Sequence, residues 1–271
     1  MKRITLRLIM VLLLITLVLS IQSGCSKQTA VLVYDDSYSF MGFSQEALDS
    51  LSIGYTLTTN YNDFRTAFTS GAWDMVVFDN PYWGLPGDIL DLLQDYAARG
   101  GKLVMSTWMP AVNNTHGLWA QLGYSFSTAF ADLTDVDKLF EDEWLLNNPY
   151  ATPDLEFGSL SDMYYGVDGF PGSVVGDGRI IASFDGSVAY NMGAVIWANS
   201  GRTILNAFLL ADGYDYDGGE PIDADGDGMA DATEWWADEI SYLSTRPGSK
   251  IQPSASSLSI SSFEELGNNA K

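Results

Sequence analysis

The chain has 271 residues, with 13 basic and 35 acidic side chains and a formal net charge of −22. That excess of negative charge argues against nucleic acid or an anionic lipid surface as a partner and suits cations. An apolar fraction of 46%, with 8 Trp, 14 Tyr and 13 Phe, is not the composition of a disordered chain and permits a sizeable core. Lys2, Arg3 and Arg7 precede an apolar run, Leu8 to Ile21, of fourteen residues. A membrane span needs about 20, so a basic start, a short apolar stretch and the small residues Ser23 and Gly24 read as an export signal over residues 1–24.

Cys25 is the single cysteine, which excludes a disulfide within one molecule. The segment Gln22-Ser23-Gly24-Cys25 resembles the lipobox of bacterial lipoproteins, apart from Gln22, where an aliphatic residue is usual. The resemblance implies cleavage before Cys25, acylation of Cys25 and a membrane anchor through that N-terminal lipid. It also implies the cell envelope, with Ser26 favouring the outer membrane or cell surface. Lys2, Arg3 and Arg7 are three of the 13 basic residues, so the mature chain would carry ten against 35 acidic. An exported protein meets calcium at levels that fill even weak sites.

After Cys25, strand-like and helix-like pieces alternate. Ala30 to Tyr34 is a short apolar run ended by Asp35 and Asp36, and Ser44 to Leu51 reads as a helix. Tyr55 to Thr58 is a weaker strand, Asn62 to Ser70 a helical piece closed by Gly71, and Asp74 to Phe78 a strand ended by Asp79, Asn80 and Pro81. From Leu85 to Arg99 the apolar residues Ile89, Leu92, Leu93, Tyr96 and Ala97 recur at helical spacing, with Gly100 and Gly101 as the stop. Lys102 to Ser106 is a further strand, and Leu118 to Leu122 a short helix. Short apolar strands alternating with helices predict a doubly wound α/β unit with a mostly parallel sheet and helices on both faces. The stretch from 126 to 178, rich in Asp, Gly, Pro and Tyr, reads as an insertion or a set of long loops. Strands follow at Arg179–Phe184, Ala194–Ala198 and Arg202–Phe208, with Asn199-Ser200-Gly201 as a tight hairpin turn. A helix from Glu234 to Leu243 closes a domain spanning 25–244, and the Ser-rich stretch 245–271 reads as a flexible tail.

This order, together with Trp73 to Phe78, Leu93 to Val104 and Gly201 to Leu210, resembles the class I glutamine amidotransferase-like fold, a flavodoxin-like architecture. Those enzymes use a cysteine nucleophile with His and Glu. Here the strand end that would carry it reads Met105-Ser106-Thr107-Trp108. The resemblance therefore implies the fold without the activity. A serine variant would need Ser106 or Thr107 with His116, the only histidine, and the G-x-S-x-G elbow is missing. Neither a P-loop nor a zinc pattern is present.

In open α/β sheets ligands sit outside the carboxyl ends of the strands. Asp35, Asp36, Asp79, Asn80, Tyr82, Trp83 and Trp108 gather at those ends and form a candidate ligand crevice. Aromatic faces beside carboxylates suit a sugar ring, although strand ends use Asp and Asn for turns anyway.

The motif with the firmest chemistry is Asp223 to Glu234. In a loop of twelve, Asp223, Asp225 and Asp227 fall at positions 1, 3 and 5, Gly228 at 6, Met229 at 7, Asp231 at 9 and Glu234 at 12. This is the EF-hand pattern for calcium, a hard cation taking six to eight oxygens. Met229 would ligate through its carbonyl and Glu234 through both carboxylate oxygens. Gly218-Gly219-Glu220-Pro221 precedes the loop, so no entering helix is expected, and the loop resembles the isolated calcium loops of dockerins and thrombospondin repeats. The acidic segment 212–234 would repel itself without a cation. The expected function is a calcium-binding, lipid-anchored binding or interaction module without catalysis, with a glycan or protein as ligand. The alternative is a hydrolase acting at the strand-end crevice on glycans.

Overall fold

Three strands buried at every position form the centre of the sheet in the computed structural model: β1 (Val31–Asp35), β3 (Met75–Asn80) and β4 (Lys102–Thr107). Their near-continuous apolar runs belong to strands covered on both faces. The structure describes residues 30–36, 42–80, 84–108, 110–126, 131–133, 135–139, 144–157, 167–184, 186, 191–215 and 220–247. Residues 1–29, which include Cys25, and Tyr82, Trp83, Gly218, Gly219 and residues 248–271 lie outside them.

β2 (Tyr55–Thr58) pairs parallel to β1 on one side, and β13 (Thr203–Asn206) pairs parallel to β4 on the other. The sheet then changes direction. β12 (Gly193–Ala198), β11 (Arg179–Phe184), β7 (Asp135–Lys138) and β8 (Leu155–Glu156) continue it antiparallel, in the order β2-β1-β3-β4-β13-β12-β11-β7-β8. The predicted turn at 199–201 joins β12 to β13. Asn199, Ser200 and Gly201 all have positive φ (54°, 56° and 80°), the conformation that matches a two-residue hairpin loop to strand twist. Asp177 accepts from the backbone N–H groups of Asn199 and Ser200 at 3.0 and 2.7 Å, which holds the strained pair in place.

Helices cover both faces, as the alternation predicts. On one face α1 (Phe43–Ser50) and α5 (Asp231–Thr245) set Phe43, Leu48, Trp235, Trp236 and Ile240 against Val33, Val77, Val104 and Ile204. On the other, α2 (Tyr61–Ser70) and α3 (Gly87–Ala98) set Phe64, Phe68, Ile89, Leu93 and Tyr96 against Leu32, Phe78 and Met105. A short α4 (Gly117–Gln121) packs there through Leu118 and Trp119.

Two expectations need correction. The stretch 126–178 is not only loops. It holds β6 (Ala131–Leu133), β7, β8, β9 (Val167–Gly169) and β10 (Gly172–Val174), and β5 (Tyr124–Phe126) leads into it; β5, β7, β8 and β10 belong to the main sheet. Strands of two to four residues carry too little alternation to be read alone; β7 and β10 are placed by β11 and β12, β8 and β5 by β7 and β10, and β6 and β9 pair with each other apart from the main sheet. The closing helix also begins at Asp231, three residues before Glu234. Two carboxylates in the first turn, Asp231 and Glu234, favour that start through the helix dipole.

α5 is buried over its first ten residues, 231–240, and Leu145, Leu146, Leu155 and Phe157 of the segment 144–157 share the core into which it packs. Asp238 ties that segment down, accepting from the Tyr150 N–H at 2.9 Å and from the Thr152 hydroxyl at 3.0 Å. Asp238→Ala leaves both donors buried without a partner. It is expected to lower stability by about 3 kcal/mol in urea denaturation, and an unchanged midpoint would contradict the anchoring role.

Candidate functional site

The carboxyl edge of the parallel strands is built in register. Asp35 pairs with Asp79, Asp79 with Ser106, and Ser106 with Asn206 across β1, β3, β4 and β13. Side chains in register on parallel strands share a face, here the face that carries α1 and α5. All four residues are buried. α1 leaves β1 toward β2, and α2 returns to β3 on the opposite side of β1. The strand order therefore reverses between β1 and β3, which is where doubly wound folds open their ligand crevice.

The structure brings Asp35 and Asp79 together at that point. Gln45 of α1 donates to the Asp35 carboxylate at 3.0 Å. Asn80 turns to the other face, where its Oδ1 accepts the Tyr61 hydroxyl at 2.7 Å. Tyr61 stacks on Tyr34 with ring centroids 5.0 Å apart, and Tyr34 stacks on Phe78 at 4.5 Å. Burial raises the Tyr34 phenol far above its ordinary range, so it acts as a neutral hydroxyl. Asp36 and Trp108 are half-buried at the same edge; Tyr82 and Trp83 lie outside the described residues.

The serine and histidine are not brought together. Ser106 Oγ donates to the Phe208 carbonyl at 3.0 Å and accepts from the Leu210 N–H at 3.3 Å. His116 caps α4, its Nδ1 accepting from the Leu118 N–H at 3.1 Å, while Nε2 lies 3.1 Å from Asp91 of α3. Ser106 thus secures the turn after β13, and His116 secures a helix start.

The second place is the loop before α5. The carboxylates of Asp223, Asp225 and Asp227 are exposed and lie within 4.8 Å of one another. The loop curls around Asp223, which accepts from the N–H groups of Gly226 (2.8 Å), Asp227 (3.2 Å) and Gly228 (3.0 Å). Gly226 and Gly228 have φ of 74° and 96°, which only glycine adopts readily. Asp227 accepts from the Met229 N–H at 2.8 Å, and Asp225 from the Asp227 N–H at 3.1 Å.

Asp231 and Glu234 stand outside that group of three, in the first turn of α5, and both are buried. Asp231 accepts from the Ala224 N–H at 3.1 Å, joining the start of the loop to the helix. Burial pushes its acid up to about 6, the Ala224 bond opposes the rise, and the neighbouring aspartates add to it. Glu234 is only 2% exposed, and its Oε2 has no hydrogen-bond partner. Burial, then the charges of Asp227, Asp225, Asp231 and Asp238, push it up to about 8. Three gathered carboxylates, a fourth that closes the loop and a buried glutamate oxygen lacking a donor form a donor set that suits a hard divalent cation.

Sequence reasoning did not single out Gln45, Asn206 or Glu239 as site residues. Asn206 donates to the Glu239 carboxylate at 2.8 Å, and both side chains are fully buried. The signal was positional. Glu239 lies three and seven residues after Trp236 and Ala232, on the apolar stripe of α5 and not in its acidic flank.

No family model matches the chain, and no curated protein matches it. Solved structures do. The fold is similar to that of an IFT52 N-terminal domain, at 9% identity and a TM-score of 0.50, over 80% of this chain and 98% of that one. A glutamine amidotransferase from Methylobacillus flagellatus is similar at 12% identity and a TM-score of 0.45, over 83% of this chain and 98% of its own. Another, from Thermotoga maritima, is similar at 9% and 0.42, over 68% and 76%. The mostly parallel sheet covered by helices is a mixed α/β fold in its own right, similar to that of the IFT52 N-terminal domain.

Ser106→Ala removes a donor from one buried backbone group and an acceptor from another. It is expected to lower stability by about 2 kcal/mol, whereas His116→Ala at its half-exposed cap is expected to change it by about 1 kcal/mol or less. Equal effects in chemical denaturation would contradict this division of roles.

Proposed function

We propose that this chain is an exported protein, anchored to the bacterial cell envelope through a lipid on Cys25, in which one calcium ion clamps α5 to the α/β domain. The ligands in this reading are Asp223, Asp225, Asp227, the Met229 carbonyl, Asp231 and Glu234. The observation that carries it is Glu234. A buried carboxylate oxygen without a donor, one helical turn from a loop of gathered aspartates, is expensive to leave ionised. A calcium ion supplies the missing positive charge. The absence of a capping side chain at Ala230 also leaves the helix start to be fixed by the loop. The role is structural, because Gly213 and β14 (Tyr214–Asp215) and β15 (Glu220–Pro221) lead into the loop where a sensor would have a helix. The α/β domain then serves as a binding or interaction module on the envelope, facing the outer membrane or cell surface, with an anionic surface that disfavours nucleic acid.

Thermal melts of the full chain in excess calcium and in chelator test this reading. Calcium at one hundred times its dissociation constant stabilises a single-site protein by about 2.7 kcal/mol, a rise in Tm of roughly 5–10 °C for a domain of this size. Glu234→Gln is expected to remove most of that rise. Identical melts with and without calcium would overturn the clamp.

A second reading is favoured by the Asp35–Asp79 pair at the strand-order reversal. Two buried carboxylates there, with the half-buried Trp108 at the same edge, suit a sugar whose hydroxyls bond to the acids and whose face packs on an aromatic ring. The ligand would be a glycan, and a hydrolase using those carboxylates is the alternative to simple binding. In a glycan panel, Asp79→Asn and Trp83→Ala are each expected to weaken binding at least tenfold. No binding by the wild-type chain would remove this reading and leave the clamp intact.

A further inference from the structure

The contact between α5 and β13 holds an acid with no ion-pair partner among the described residues. Asn206 Nδ2 donates to Glu239 Oε2 at 2.8 Å. Both side chains are 0% exposed, and the other oxygen of each, Glu239 Oε1 and Asn206 Oδ1, is buried without a hydrogen-bond partner. The two partnerless atoms are both acceptors, and they belong to two groups that already share one bond. One hydrogen shared between Oε1 and Asn206 Oδ1 supplies the donor that Asn206 Oδ1 lacks; the Trp235 indole N–H is the other donor beside the acid. We propose that Glu239 is held in the folded protein as the un-ionised acid, its O–H donating to Asn206 Oδ1 while the Asn206 amide donates back to Oε2, so that a proton is part of the α5–sheet contact.

The surroundings agree. Burial pushes the Glu239 acid up to about 8; the Asn206 amide opposes the rise, the neighbouring Asp238 carboxylate adds to it, and the Trp235 indole opposes it. Charged groups on the elements packed against α5 are engaged elsewhere. Glu46 of α1 accepts the Thr233 hydroxyl at 3.0 Å, and Asp49 of α1 is exposed. Lys102 of β4 reaches the Ser244 carbonyl at 3.5 Å, and Lys138 of β7 bonds Asn147 and Thr152. Asp79, at the end of β3, adds a further negative group to this face.

An acid whose folded pKa is raised binds its proton more tightly in the folded state than in the unfolded one. Its stabilising effect is complete below the unfolded pKa of about 4.3 and is lost as pH rises toward the folded value. The docking of α5 therefore weakens progressively as pH rises from about 5 to about 8 and the proton becomes harder to retain. Glutamine at 239 keeps the shape of the acid and carries its donor at every pH.

The test compares the full chain with Glu239→Gln in urea at fixed calcium across pH 5 to 9. The ratio of the variant's folding constant to that of wild type is expected to rise about tenfold per pH unit and to level near pH 8. A ratio that stays constant with pH overturns the proposal. Glutamate carboxyl-carbon NMR of the wild-type chain decides the matter without a variant, should Glu239→Gln fail to fold. In saturating calcium, where Glu234 is ionised as a ligand of the ion, one glutamate is expected to keep the un-ionised shift at pH 7, and in chelator Glu234 is expected to join it. All glutamates ionised at pH 7 in saturating calcium would overturn the proposal.

Discussion

The structure depends on burying a helix that carries four carboxylates. α5 lies between the sheet, α1 and the 144–157 segment, and Asp231, Glu234, Asp238 and Glu239 are all enclosed with it. Moving an ionised carboxylate out of water costs several kcal/mol unless a partner replaces the lost hydration. Each acid meets this constraint differently. Asp231 takes a backbone N–H from the loop, Asp238 takes one backbone and one hydroxyl donor, and Glu239 takes an amide. Glu234 Oε2 takes none. Apolar packing by Trp235, Trp236, Ile240 and Leu243 drives the helix into the core, and the acids then determine what must come with it: the aspartate loop, the 147–152 turn and a proton.

This view links the two ends of the molecule. The loop at 223–234 is exposed and polar, yet its last ligand position is the first buried turn of α5. α5 runs down the face where the row Asp35, Asp79, Ser106 and Asn206 ends the strands. Glu239 contacts that row directly through Asn206. Whatever fixes α5 therefore also bears on Asn206, the β13 end of that row. Ser106, at the end of β4, holds the turn after β13.

Much of this was legible in the sequence, for physical reasons. β1, β3 and β4 read directly because strands buried on both faces need unbroken apolar runs, and α3 read directly because its buried residues recur at helical spacing. The loop read through spacing, and its three aspartates do gather. What failed to read depends on partners distant in sequence. β7 and β10 are short pieces with Asp or Gly whose pairing is set by strands tens of residues later. The acids at 238 and 239 read as the flank of an acidic segment, because only the tertiary fold shows that residues 231–240 are all buried. Asn206 lay inside the predicted strand Arg202–Phe208 with nothing to mark it as the partner of Glu239.

The central claim is that the loop and α5 form one unit that a cation completes. Hydrogen exchange of the α5 amides, residues 231–245, measured in chelator and in saturating calcium, tests it most directly. The account predicts that calcium slows exchange through the whole helix, most strongly in its first turn, while β1 and β3 change little. Equal protection of α5 in both conditions would contradict it.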